Sequence, residues 1–142
     1  MAKQFQQGTY QVKNPSKYAG KRAPRYRSGW ELTFMRMCDT HPNVLTWASE
    51  PVRIPYRNPF NGDYTQYVPD FIMVYTNKTG KKVAELIEIK PKSQTLVERA
   101  RSKEDKMKII FNRAKWKAAG EWATRKGMKF RVLNEDSIYS IR

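Results

Sequence analysis

The sequence predicts an α/β (α+β) domain, a mixed β-sheet core flanked by helices. Three observations carry this. Apolar residues recur at helical spacing near the start of the domain and again from about residue 103 to 126. Between them lie β-rich runs at 51–57, 64–75 and 83–90, and a last one follows the second helix at 128–133. The resulting order, α, β, β, β, α, β, mixes the two element types along one chain, as a layered sheet-and-helix domain requires.

A chain of 142 residues suits one domain and can bury a core without a disulfide or metal staple. Cys38 is the single cysteine and His41 the single histidine, so cysteine-based zinc sites, Ser-His-Asp triads and Cys-His pairs are all excluded. Catalysis would have to run on carboxylates, lysines and a hard, oxygen-loving metal. Lys plus Arg is 28 against 13 acids, a net charge of +15, and the pI is near 10.1. That excess points to a polyanion held through phosphate contacts and counterion release, with nucleic acid the leading partner. No apolar run approaches a membrane span, and the N-terminus lacks a signal-peptide core, so neither a membrane nor secretion is expected.

Residues 1–27 form a basic leader without an acid, carrying Lys13, Lys17, Lys21, Arg22, Arg25 and Arg27, with Tyr10, Tyr18 and Tyr26 interleaved. Pro15, Pro24, Gly8 and Gly20 keep it from being one long helix, so it reads as an arm draped over the domain or over a nucleic-acid backbone. The domain proper is expected over 28–142. Ser28 opens its first helix, with Trp30, Phe34 and Met37 on one face, and His41-Pro42-Asn43 closes it. Val52, Ile54 and Tyr56 alternate as a strand that Pro55 pushes to an edge. The runs 64–75 and 83–90 form an antiparallel hairpin around residues 76–82. In the second helix Met107, Ile110, Phe111, Ala114 and Ala118 make the expected buried stripe, with Gly127 as its C′ glycine.

The residues that carry chemistry are Asp70, Glu88 and Lys90. Strand alternation puts Glu88 and Lys90 on one face and Ile87 and Ile89 on the other. A hairpin pivoting near Thr79 sets position 70 opposite position 88, each nine residues from the pivot. A one-residue slip would break this convergence. Two carboxylates beside a lysine suit phosphodiester hydrolysis, where a metal neutralises phosphate charge and deprotonates water while the lysine stabilises developing charge. A strand-end salt bridge accounts for the same spacing equally well. Glu31 completes Ser28-x-x-Glu31, which by itself reads as a capping box.

Glu31, Pro69-Asp70 and Glu88-Ile89-Lys90 together resemble the PD-(D/E)XK nuclease superfamily. Longer words extend the match over nearly the whole chain: Lys13-Asn14-Pro15-Ser16-Lys17-Tyr18, Tyr26-Arg27-Ser28-Gly29-Trp30-Glu31-Leu32, Ser49-Glu50, Ile54-Pro55-Tyr56-Arg57 and Ala114-Lys115-Trp116-Lys117. With these the chain resembles head-completion (neck) nucleases of T-even-like phages, related to the nuclease subunit of heteromeric bacterial transposases. The resemblance implies a restriction-endonuclease-like sheet and a Mg²⁺-dependent DNA endonuclease, Mn²⁺ substituting, that acts on phage DNA during head completion. Asp70, Glu88 and the Ile89 backbone carbonyl would hold the metal, and Lys90, Glu31 and Gln94 would complete the catalytic set. Lys92 and Lys115 join the leader cations as expected DNA contacts. The implied setting is host cytoplasm or virion neck, with portal or neck proteins as neighbours. A DNA-binding neck adaptor that keeps a relic site is the alternative.

Overall fold

A computed structural model describes residues 7–91 and 102–137. Two short strands, β1 (Gly8–Thr9) and β2 (Arg25–Tyr26), pair antiparallel at the base of the leader. They are followed by helix α1 (Gly29–Thr40) and strands β3 (Val44–Ser49), β4 (Ile54–Arg57), β5 (Tyr64–Tyr67), β6 (Phe71–Thr76) and β7 (Lys82–Ile89). Helix α2 (Lys103–Arg125) and strand β8 (Lys129–Leu133) close the chain. The main sheet has the order β3-β6-β7-β8, antiparallel except for the parallel pair β7–β8. This is the mixed, helix-flanked sheet that the element order predicts.

Strand β7 shows why the sheet is layered on both sides. Its residues 85–89 are all buried, as in a strand covered on two faces. Ile87 and Ile89 pack with Phe34, Met35, Cys38, Trp47, Phe71 and Met73 on the α1 side. Leu86 points the other way, into a second cluster with Ile54, Tyr56, Tyr67, Ala119 and Ala123. The β4–β5 ribbon and α2 therefore cover one face, and α1 with the leader covers the other.

The helix boundaries follow from local chemistry. The Ser28 hydroxyl accepts the Glu31 N–H, 3.1 Å away, and His41 ends α1 with its N–H on the Met37 carbonyl. At the other helix Met128 N bonds the Ala123 carbonyl and Gly127 N the Thr124 carbonyl. Gly127 sits at φ +73°, so this end is a Schellman motif that only a residue free to turn left-handed makes without strain.

Four expectations are corrected. The run 64–75 is two strands in two sheets, because Pro69 has no N–H to continue a ladder: β5 pairs with β4 and β6 with β3 and β7. The strand expected over 51–57 is confined to Ile54–Arg57, with Pro55 in an edge ribbon as anticipated. Strand β3 was not expected at all; a register irregularity between Val44 and Thr46 disrupts the alternation by which a strand is read. The buried stripe of α2 is Ile109, Asn112, Ala119 and Ala123, while Met107 and Ile110 are exposed. Phe111, Ala114 and Ala118 flank that stripe half-buried. Asn112 is polar and so breaks the apolar pattern that would have marked the true face.

The leader lies on the domain. Buried Tyr10 donates to Asp39 Oδ2 at 2.6 Å, and the backbone N–H groups of Lys13 and Asn14 donate to the same carboxylate at 2.8 and 3.0 Å. The Tyr18 ring meets the Trp47 ring edge-on at 4.7 Å.

Candidate functional site

The register of β6 against β7 brings the two central acids together. Phe71 pairs with Ile87 and Thr76 with Lys82, which centres the turn on Thr79 and sets Asp70, one step beyond, across from Glu88. The turn itself is fixed by Asn77, whose Oδ1 accepts the N–H groups of Thr79 and Lys81 while Gly80 turns at φ +82°. The Asp70 carboxylate receives the Ile89 N–H at 2.8 Å. Glu88 is 5% exposed; its Oε1 accepts the Tyr67 hydroxyl at 2.6 Å, and its Oε2 lies 3.5 Å from Lys90 Nζ.

The remaining groups arrive from distant elements. Glu31, on the first turn of α1, uses Oε1 to accept the Arg27 N–H at 3.1 Å. That N–H lies outside the helix, before the N-cap Ser28, so the Glu31 side chain does not complete the capping box, and its charge acts on both Asp70 and Glu88. Arg27 pairs with Glu50. Glu50 holds a left-handed backbone at φ +47° and donates its N–H to the Asp70 carbonyl at 2.8 Å; such strain in a non-glycine residue concentrates at functional sites. From α2, Lys115 places its ammonium 6.0 and 5.9 Å from the ring centroids of Tyr56 and Tyr67, cation–π range.

The electrostatics are those of a charge-loaded pocket. Burial pushes the Asp70 carboxyl well above the usual range, and the charges of Glu88 and Glu31 add to it. Burial likewise raises Glu88, against the Tyr67 hydroxyl and Lys90 that favour its ionised form. Glu31 is raised for the same first reason, and the Lys115 ammonium is lowered by burial and by Lys90. Carboxylates held this way are short of positive charge. The donor set fits a hard divalent cation, all oxygen with no imidazole or thiol: His41 accepts the Asn43 N–H elsewhere, and Cys38 is buried in the α1 core. Among the described residues no three Asp, Glu, His or Cys side chains are grouped to ligate one ion. Two carboxylates with backbone, water and phosphate oxygens would have to suffice, as magnesium accepts.

Residues 41–135 match the family model described as TnsA-like endonuclease N terminal. The chain belongs to that endonuclease family. It is also 36% identical to the head completion nuclease of Enterobacteria phage T4 over 145 residues, covering 94% of each chain. Both comparisons return the kinship read from the sequence motifs, the phage head-completion nucleases and the transposase nuclease subunit. This chain is thus an endonuclease, and its mixed sheet agrees with the restriction-endonuclease-like fold. Its family match begins at residue 41, in the turn after α1.

Of the residues singled out from sequence, the fold gathers Glu31, Asp70, Glu88, Lys90 and Lys115 at one end of the sheet, with Arg27 beside them through Glu50. Lys13, Lys21, Arg22 and Arg25 are exposed along the leader, and Lys17 Nζ bonds the His41 carbonyl at the far end of α1. Lys92 and Gln94 lie outside the described residues. Sequence reasoning missed Tyr56 and Tyr67, and it noted Glu50 only as part of a family word. Tyr67 stood three residues before Asp70 in what read as one continuous strand, where nothing marked it as the partner of Glu88.

Proposed function

We propose that this endonuclease hydrolyses DNA phosphodiester bonds with Mg²⁺, Mn²⁺ substituting, and acts on phage DNA during head completion. One observation carries the reading: half-buried Asp70 and buried Glu88 face each other in a register fixed by the Thr79 turn, their charge only partly offset by Lys90, Lys115 and hydrogen-bond donors. Asp70, Glu88 and the Ile89 carbonyl hold the cation. When bound, it polarises the phosphate and lowers the pKa of attacking water. Lys90 stabilises charge developing on the phosphate, and Tyr67 fixes the rotamer of Glu88. Glu31 assists from α1, Gln94 is an accessory group, and Lys92, Lys115 and the leader cations hold the DNA backbone. The relative's printed name, head completion nuclease, supports the biological setting. Host cytoplasm or virion neck is then the place of action, with portal or neck proteins as neighbours.

Plasmid cleavage by purified protein tests this directly. Cutting is expected with Mg²⁺ or Mn²⁺ and not with EDTA or Ca²⁺, whose looser oxygen shell suits the site poorly. Lys90→Ala should lower cleavage roughly a hundredfold while leaving most DNA affinity intact. Equal cutting by wild type and Lys90→Ala would defeat the assignment.

A further inference from the structure

The outer face of the β4–β5 ribbon carries aromatic surface that the core does not use. Antiparallel pairing sets Tyr64 opposite Arg57, and alternation turns both away from the buried face made by Ile54, Tyr56 and Tyr67. Tyr64 is 74% exposed, and Phe60 at the ribbon tip is 51% exposed although it leans on Phe111 with ring centroids 5.0 Å apart. The Arg57 guanidinium lies over the Tyr64 ring, 5.6 Å from its centroid, and its Nε donates to the Gly62 carbonyl at 2.9 Å.

The tip is ordered by its own bonds. Asn58 Oδ1 accepts the Phe60 N–H at 2.8 Å, Asn61 Oδ1 accepts the Asp63 N–H at 2.8 Å, and Gly62 turns at φ +79°. The tyrosine ring is therefore presented with a cation behind it and solvent in front, an arrangement suited to a flat, electron-rich partner that carries negative charge. Tyr67, three residues along the same strand, bonds Glu88. Three strand residues are about 10 Å of backbone, and the odd step sets the Tyr64 ring on the opposite face of the ribbon from Tyr67.

We propose that Tyr64, backed by Arg57, stacks on an unpaired base of the DNA being cut, so that the preferred substrate carries single-stranded bases. The proposal rests on the nuclease reading above and adds a substrate class to it: ends with overhangs, gaps or flaps rather than continuous duplex. The charge of the chain favours this occupant over a protein, because a +15 surface attracts the phosphates that accompany such a base.

The test measures binding of the full chain in EDTA to two DNAs of equal length, one blunt duplex and one with a short single-stranded overhang. Tyr64→Ala should weaken overhang binding about tenfold to a hundredfold, leave blunt-duplex binding within about twofold, and leave the salt dependence of both unchanged. Tyr64→Trp, which keeps a stacking ring, should restore overhang binding. Equal weakening on both DNAs would overturn the proposal by making the ring a general contact. No weakening on either would overturn it in favour of a protein-docking role. Wild-type plasmid cutting in Mg²⁺, measured alongside, reports separately on the nuclease reading: its absence would overturn that reading, whereas only the comparison of the two DNAs bears on Tyr64.

Discussion

Asp70 and Glu88 are ordinary residues made unusual by position. Each has a carboxyl pushed up by burial, so the fold disfavours its ionised form. The sign of the linkage follows. A carboxyl whose folded pKa exceeds its unfolded value binds its proton more tightly in the native state, so stability falls as pH rises from the unfolded pKa through the folded one. The penalty grows as pH rises above the unfolded pKa unless a cation relieves it. Asp70→Asn, which keeps an oxygen to accept the Ile89 N–H, should therefore melt a few degrees higher than wild type at pH 8 in EDTA, and the two should converge towards pH 4. Mg²⁺ should raise the melting temperature of wild type and not that of Asp70→Asn. Thermal scans in both buffers decide it; a variant less stable than wild type in EDTA at pH 8 would contradict the view of Asp70 as an electrostatic liability kept for binding.

Beside the Tyr18–Trp47 ring contact and the Lys17 bond to His41, the leader is anchored to the domain by the buried Asp39 carboxylate. Burial alone would raise Asp39, but the Tyr10 hydroxyl and the Lys13 and Asn14 N–H groups outweigh it and hold the carboxyl below its usual range. Here the linkage has the opposite sign: the stabilisation is present above the unfolded pKa and disappears as pH falls through the folded one. Asp39→Ala leaves a buried hydroxyl and two N–H groups without their acceptor, which costs at least about 2–3 kcal/mol. It should also free the leader, seen as faster tryptic cleavage near Lys13 and Lys21 than at α2. Uniformly faster cleavage would mean that the whole fold, rather than the leader alone, depends on Asp39.

For the whole molecule the relevant quantity is the distribution of +15. Lys13, Lys21, Arg22 and Arg25 are exposed on a leader whose backbone is tied to the core, so deleting the leader would also remove Tyr10 from that core. Charge removal is the cleaner test. Replacing these four cations with glutamine should reduce the salt slope of DNA affinity by roughly 0.9 for each phosphate left without its cation, with little sequence preference. Binding isotherms across a salt series measure it, and an unchanged slope would assign the leader a purely structural role. No helix among the described residues is long and apolar enough to cross a membrane.

What the sequence determined by itself was local or periodic. The pairing of Asp70 with Glu88 was legible because a short turn sets hairpin register, and Asn77 and Gly80 mark that turn. The Ser28 and Gly127 helix ends were legible because capping needs particular residue types at fixed offsets. The carboxylate-and-lysine chemistry was legible because one cysteine and one histidine left little else. Only the tertiary structure decided the rest. Tyr67 reaches Glu88 across 21 residues of sequence, and Lys115 arrives on a helix whose buried face includes a polar Asn112 that hides its stripe. Glu31 could be read as the second half of a capping box; its carboxylate instead bonds Arg27 outside the helix and lies within the field of two other acids, which depends on where α1 packs against the sheet end. Strand β3 was hidden by an irregularity in its own alternation. Such contacts leave no periodic trace because they join faces of different elements, whose meeting is set by the packing of the whole core.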